Sequence, residues 1–107
     1  MIVTEQQIAA DLQFLADTDE AAAMAKRAVE AEEWLAKKYR AIEFLAATGN
    51  NEERKAKAEV SESVKLHSER RLDAIQEAER LNNERKTRML RIEVYRTLSA
   101  NRRQGNV

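Results

Sequence analysis

The chain has 107 residues with two glycines, no proline and no cysteine, and its 19 basic and 19 acidic side chains give a formal net charge of zero. This composition excludes more than one ordinary domain, a disulfide framework and thiolate chemistry, and it leaves little that can interrupt a helix. Charged residues make up 36% and aromatic residues 5% of the chain, which is typical of long helices with a thin apolar core, and a thin core favours a homo-oligomer.

The N-terminal segment predicts a short helix over residues 5–16. Thr4 and Gln7 have the spacing of a capping box. Apolar residues then recur at helical spacing at Ile8, Leu12 and Leu15. The segment lacks the positive stretch of a secretory signal, and no apolar run approaches the ~20 residues of a membrane span. We therefore expect a soluble protein of the cytoplasm that has no membrane partner.

A second helix is predicted over residues 19–47. Asp17, Thr18 and Asp19 supply a capping residue and acidic side chains of the kind that favour a helix N-terminus. The clearest periodicity of the chain follows, in steps of three and four as in a coiled coil. This seam consists of Met24, Ala28, Ala31, Leu35, Tyr39, Ile42 and Leu45 or Ala46. Trp34 lies beside the seam and indicates a second partner surface.

The stretch "ATGNNEE" predicts a turn over residues 48–51. Gly49 can adopt the left-handed conformation that ends a helix, and Asn50 or Asn51 can cap the next helix with Glu53 reaching back. A long helix over residues 52–100, which can bend at "SES" or "LNNER", and a basic tail over residues 101–107 complete the chain. The predicted seam of the long helix consists of Val60, Val64, His67, Ala74, Ala78, Leu81, Met89, Ile92 and Leu98.

These elements predict an all-α fold, an antiparallel helical hairpin that packs as a single domain with a short N-terminal helix. At ~1.5 Å per residue the long helix exceeds the second helix by roughly 30 Å. The excess covers residues 82–100, whose apolar side chains need a cover. We expect the first helix to fold back over one side and copies of the chain to cover another, with Met89, Ile92 and Leu98 in the oligomer interface.

Charge is distributed unevenly along the chain. Residues 1–50 carry a formal charge of −4 and residues 51–107 a charge of +4. An anionic partner would bind the positive end. Candidate residues for binding single-stranded nucleic acid form two groups, which combine cations for phosphates with aromatic rings for bases. The first group is Trp34, Lys37, Lys38 and Arg40, and the second is Arg88, Arg91, Tyr95, Arg96, Arg102 and Arg103.

Catalytic and metal chemistry find no support in the sequence. His67 is the only histidine, and the nearby glutamates lack convincing ligand spacing, so we interpret it as a half-buried spacer. The carboxylate pair Glu32 and Glu33 fits a solvated helix face. Phosphate loops, nucleophile elbows and Cys/His clusters are absent. We therefore expect a protein that is not an enzyme and has no cofactor and no metal.

In the order of its parts the chain resembles the UvsY-type recombination-mediator proteins of bacteriophages. The resemblance rests on the "WLAKKYRA" stretch around Trp34 and on the closing segment "LNNERKTRMLRIEVYRTLSANRR" with its Tyr95–Arg96 pair. It implies a helical homo-oligomer that binds single-stranded DNA during recombination or replication. The implied protein partners are a recombinase and a single-strand-binding protein. The chain is shorter than those proteins and lacks their middle region.

The alternative is a structural or assembly protein built on a helical hairpin, such as a virion, tail-assembly or secreted component. In that case the charges keep the protein in solution and have no role in binding nucleic acid.

Overall fold

A computed structural model describes residues 2–104, which form three α-helices and no strand. These are α1 (Glu5–Ala46), α2 (Asn51–Glu59) and α3 (Glu62–Arg103). The all-α class is therefore confirmed. The predicted basic tail is in part helical, because α3 continues to Arg103, and residues 105–107 lie outside the described part of the chain.

The N-terminus of α1 is capped as the sequence predicts. The Thr4 amide donates to the Gln7 side chain at 3.0 Å, and the Gln7 amide donates to the Thr4 hydroxyl at 3.2 Å. The predicted interruption at residues 17–18 is wrong, because α1 is continuous there. The Thr18 hydroxyl turns back onto the Phe14 carbonyl at 2.7 Å, so it bonds to the helix that precedes it instead of capping a new one.

The turn after α1 also follows the prediction. Gly49 has a φ of +114°, which is unfavourable for any residue with a side chain. Asn50 caps α2, and its side chain accepts from the Glu53 amide at 2.9 Å. Of the two candidate caps, Asn50 is the one used, and Asn51 begins α2.

The prediction of one helix over residues 52–100 is wrong, because the chain leaves the helix at Val60 and Ser61. The Ser61 hydroxyl donates to the Ala58 carbonyl at 2.8 Å and thereby competes with the helical hydrogen bonds. The break lies at the first of the two predicted bends, "SES". The second, "LNNER", is uninterrupted α3.

The described chain forms two compact units. The first contains residues 2–22 and 79–104, and the second contains residues 23–78. Contacts show that α1 and α3 run antiparallel in each, because Glu5 pairs with Tyr95 and Leu15 with Arg85 in the first, and Glu32 with His67 in the second.

The prediction that the last helix extends well beyond the helix it packs on is wrong. Both α1 and α3 have 42 residues, because α1 has no break at residues 17–18. Residues 82–100 lie in the same unit as residues 2–22, so the N-terminal segment does cover one side of them. The expected fold-back of a separate first helix is wrong, because this segment is the first part of the continuous α1.

Burial along both long helices recurs in strict steps of three and four. On α1 these positions are Ile8, Asp11, Leu15, Thr18, Ala22, Ala25, Val29, Glu32, Ala36, Tyr39 and Glu43. On α3 they are Val64, His67, Arg71, Ala74, Ala78, Leu81, Arg85, Arg88, Ile92, Tyr95 and Ser99. This is a coiled-coil core in which many positions are polar.

The seam that the sequence predicts on α1 is therefore the wrong one. Met24, Ala28, Ala31, Ile42 and Leu45 are exposed, and Leu35 and Tyr39 are half-buried. For the predicted seam of the last helix, the prediction is right from Val64 to Leu81 and at Ile92. It is wrong at Val60, which lies before α3 begins, and at Met89 and Leu98, which are exposed. Polar residues such as Asp11, Thr18, Glu32 and Glu43 can occupy inner positions of α1 because each finds a partner on α3.

Candidate interaction surfaces

The first unit is organised around a buried carboxylate. Asp11 is 0% exposed, and it accepts hydrogen bonds from Nη1 of Arg88 and from Nε of Arg91, both at 2.9 Å. The Arg88 guanidinium also lies over the Phe14 ring, 4.4 Å from its centroid. The guanidinium groups of Arg88 and Arg91 are thus engaged by Asp11 on α1, unlike the exposed cations that a nucleic-acid surface requires.

These contacts determine the protonation state of the buried carboxyl group. Hydrogen bonding from the Arg91 guanidinium, supported by Arg88, holds the pKa of Asp11 below its usual range although burial alone would raise it. The same contact raises the pKa of Arg91. Asp11 is therefore ionised in the folded protein at neutral pH, and the cluster is an internal ion pair.

Two further side chains of the basic segment also bind α1. Arg85 donates to the Leu15 carbonyl at 2.9 Å and to the Thr18 hydroxyl at 2.6 Å. The Tyr95 hydroxyl donates to Glu5 at 3.3 Å. Asp11 and Arg85 are not among the residues predicted from the sequence, although Asp11 lies three positions after Ile8 and Arg85 four positions after Leu81, which is the spacing of a shared helix face.

The other three predicted arginines remain at the surface. Arg96, Arg102 and Arg103 are exposed, and Arg96 pairs with its neighbour Glu93 at 3.2 Å. Tyr95, Arg96 and Arg103 line an open groove of about 650 Å³. The structure therefore keeps a smaller basic surface than the sequence predicts.

Charge is balanced within each unit although it is unbalanced along the sequence. Residues 1–22 and 79–107 carry eight acidic and eight basic side chains, and residues 23–78 carry eleven of each. The fold achieves this by placing the acidic N-terminal segment beside the basic C-terminal one. A long-range field that attracts anions does not follow from such a distribution.

The predicted cluster on α1 of the second unit is divided between two environments. Trp34 is 59% exposed, and the Lys38 ammonium lies 5.3 Å from its ring centroid. Arg40 forms an ion pair with Glu59 at 2.6 Å. Lys37 and Arg40 line a groove of about 310 Å³ together with Arg71, which the sequence did not indicate.

His67 is a core residue of the second unit. Its Nδ1 atom lies 2.6 Å from a carboxylate oxygen of Glu32, and its ring stacks on Tyr39 with centroids 5.1 Å apart. Glu33 lines the groove beside Lys37. Within residues 2–104 no group of three or more potential metal ligands is found.

Large apolar side chains are exposed in both units. Of the predicted oligomer interface, Met89 and Leu98 are exposed and Ile92 is half-buried. On one flank of α1, seven positions follow a heptad pattern and include the exposed apolar side chains of Met24, Ile42 and Leu45. We call it the outer seam: Met24, Ala28, Ala31, Leu35, Lys38, Ile42 and Leu45.

Comparisons with known proteins give no further guide. No protein-family model, no curated protein and no solved structure matches the chain. No helix in the described part of the chain combines the length and apolar character that a membrane crossing requires.

Proposed function

We propose that the protein is a non-catalytic helical assembly protein that associates with further copies of itself. One observation carries this proposal, namely that the outer seam lies on the exposed side of α1. Its large members are Met24 at 63% exposure, Ile42 at 46% and Leu45 at 75%. Side chains at heptad spacing lie along one face of a helix, and this face, which is apolar except at Lys38, fits a helix from a partner.

The balance of charge supports an assembly role over a nucleic-acid role. Arg85, Arg88 and Arg91 are used inside the first unit, and each unit has a formal charge of zero. Such a protein has little electrostatic attraction for a polyanion.

Sedimentation equilibrium tests the proposal. The wild-type protein should sediment above the mass of one chain in the micromolar range, and Ile42→Glu should shift it toward that mass. Gln76→Glu places the same carboxylate on an exposed position of α3 and serves as the matched control. A wild-type protein that stays at the mass of one chain would contradict the proposal.

Single-stranded DNA binding is a second candidate function, favoured by a specific observation. In each unit a groove is lined by more cations than carboxylates. The groove of the first unit has Arg96 and Arg103 with Glu93 and the Tyr95 ring, and that of the second has Lys37, Arg40 and Arg71 with Glu33. In the second unit Nε of Arg71 is buried, and within residues 2–104 it has no hydrogen-bond partner. The resemblance to recombination mediators points the same way and would add a recombinase or a single-strand-binding protein as partners.

Binding of fluorescent oligo-dT at low and high salt decides between the candidates. Changing Arg96, Arg102 and Arg103 together to Gln should weaken binding to every sequence alike. It should reduce the log–log salt slope by about 2 for each subunit engaged, because each lost phosphate contact removes roughly 0.7. The control changes Lys26, Arg27 and Lys65 to Gln, outside both grooves. Assembly without salt-sensitive binding would exclude the DNA candidate.

A further inference from the structure

The second unit contains an arginine whose hydrogen-bonding capacity the chain itself does not satisfy. Arg71 occupies an inner position of α3, as Arg85 and Arg88 do. Those two arginines donate to acceptors on α1, whereas Nε of Arg71 is buried and within residues 2–104 has no hydrogen-bond partner. A buried donor of this kind costs free energy, because it has lost its contact with water without gaining another acceptor. An acceptor from outside the chain would remove this cost.

The acidic residues on the inner stripe of α1 in this unit are engaged by other side chains. Glu32 lies 2.6 Å from Nδ1 of His67, and Glu43 accepts a hydrogen bond from the Ser63 hydroxyl at 3.2 Å. The first unit differs, because there the inner carboxylate of α1 binds arginines of α3. The inner carboxylates of the second unit are thus used for contacts that do not satisfy Nε of Arg71.

Arg71 also lines a groove of about 310 Å³ that is formed by side chains of α1 and α3. Ala36 belongs to this lining and is only 3% exposed, so its small side chain leaves room between the two helices. Lys37, which is exposed, and Arg40 line the groove from α1, and Ser68 lines it from α3. The groove therefore brings hydrogen-bond donors of three kinds together.

The charge of the groove favours an anion. Among the described residues that line it, Lys37, Arg40 and Arg71 are cations and Glu33 is a carboxylate, which leaves an excess of two positive charges. Arg40 is already paired with Glu59 at 2.6 Å, so the ammonium and the other guanidinium are the principal cations for a ligand. A planar guanidinium fork, a mobile ammonium and a serine hydroxyl together suit the oxygens of a phosphate group.

We propose that this groove binds one phosphate group, with the Arg71 guanidinium as its main ligand and with Lys37 and the Ser68 hydroxyl as further contacts. Because Nε is buried, the flexible Arg71 side chain turns toward the groove on binding, and Nε gives up no hydrogen bond in this turn. The inference goes beyond the assembly role and does not depend on it. The group belongs either to free phosphate or to a nucleic-acid strand, which present similar oxygens.

NMR of the arginine Nε–H groups tests the site directly. Inorganic phosphate is titrated at neutral pH against sodium chloride of equal ionic strength. The Nε resonance of Arg71 should shift and saturate, whereas that of Arg91, which donates to Asp11 at 2.9 Å, should stay in place. Arg27 is exposed and lies outside the groove, so it reports general ionic effects. A shift of the Arg71 resonance no larger than that of Arg27 would overturn the proposal.

Calorimetric titration of variants with inorganic phosphate identifies the ligands. Arg71→Gln should weaken binding roughly tenfold or more, because a charge-assisted donor is lost. Its matched control is Arg70→Gln, an exposed neighbour that does not line the groove. Equal binding by the two variants would overturn the proposal.

A change at the acidic side of the groove tests the site even where Arg71→Gln does not fold. Glu33→Gln removes the carboxylate from the lining and should strengthen phosphate binding about threefold. Glu30→Gln removes an exposed carboxylate outside the groove and is the control. Unchanged binding by the Glu33 variant, or the same gain in both, would also overturn the proposal.

Oligo-dT separates the two sources of the phosphate group. If a strand supplies it, oligo-dT should shift the Arg71 Nε resonance and inorganic phosphate should compete. If free phosphate is the ligand, only inorganic phosphate should shift this resonance. Either result supports the site, and a resonance that neither probe shifts overturns it. In a protein that sediments above the mass of one chain, that last result contradicts this inference and leaves the assembly role standing.

Discussion

Asp11 shows how a single residue can connect distant parts of this chain. It is fully buried and lies 77 and 80 positions from Arg88 and Arg91. A carboxylate at an inner position of a coiled coil destabilises the fold unless it is paired, and pairing it with particular cations fixes the register of the two helices. The pair of Glu32 on α1 and His67 on α3 likewise connects two inner positions of facing helices.

Replacing Asp11 by Asn should lower the free energy of unfolding by about 2 kcal/mol, because two guanidinium groups lose their charged acceptor. Urea denaturation of the variant and of the wild type measures the difference. The matched control is Asp17→Asn, an exposed position whose side chain accepts a hydrogen bond from Gln13 one turn earlier. An Asp11 variant as stable as this control would contradict a structural role for the ion pair.

Stability should also depend on pH through the same carboxyl group. Because the pKa of Asp11 is lower in the folded chain than in the unfolded one, its contribution is present above about pH 4 and is lost as pH falls through the folded pKa. Denaturation midpoints should therefore decrease on acidification. Asp11→Asn should show a shallower decrease, and an unchanged profile would contradict the assignment.

The ends of the helices depend on local chemistry, and the sequence predicts most of them. The Thr4–Gln7 box begins α1, and Gly49 with Asn50 forms the turn. Failures occur where a side chain has two uses. The Thr18 side chain can cap a new helix or bond back to the preceding turn. In the structure its hydroxyl donates to the Phe14 carbonyl and accepts a hydrogen bond from Arg85.

Replacing Gly49 by Ala should destabilise the turn by ~1–2 kcal/mol for two reasons. Its φ of +114° is unfavourable for a residue with a side chain, and the added Cβ would lie 2.7 Å from Oε2 of Glu53. Thermal denaturation in wild-type and Glu53→Ala backgrounds separates the two. The Glu53→Ala background should remove the contact with Oε2 and leave the backbone strain together with a milder approach of 3.1 Å to the Cβ of residue 53. No loss in either background would contradict the turn geometry.

For the whole molecule, charge balance is a property of the fold. The N-terminal half of the sequence has a formal charge of −4 and the C-terminal half a charge of +4, yet the formal charge of each compact unit is zero. The predicted polyanion surface depended on the separated charges. Folding places residues 2–22 beside residues 79–104, and this cancels most of the expected attraction.

Changing Asp17 to Asn and Glu20 to Gln should test this cancellation. Both residues are exposed, and the double variant raises the formal charge of the first unit by two. Binding to oligo-dT at low salt should strengthen on the order of threefold to tenfold and return to the wild-type value at high salt. Asp17→Glu with Glu20→Asp keeps the charge and is the control. Equal binding by both variants would contradict the electrostatic explanation.

The sequence by itself determined the helical class, the cap of α1 and the turn at Gly49 with its Asn50 cap, because these depend on residues within a few positions of one another. It could not identify the inner seam. Periodicity favours the most apolar stripe, whereas the fold buries Asp11 and places Thr18 and Glu32, both half-buried, on the same inner stripe. Those residues become acceptable in a core only when Arg88, Arg85 and His67 face them on the other helix. Only the tertiary structure decided which stripe lies inside, because the stability of a buried polar group depends on a partner far away in the sequence.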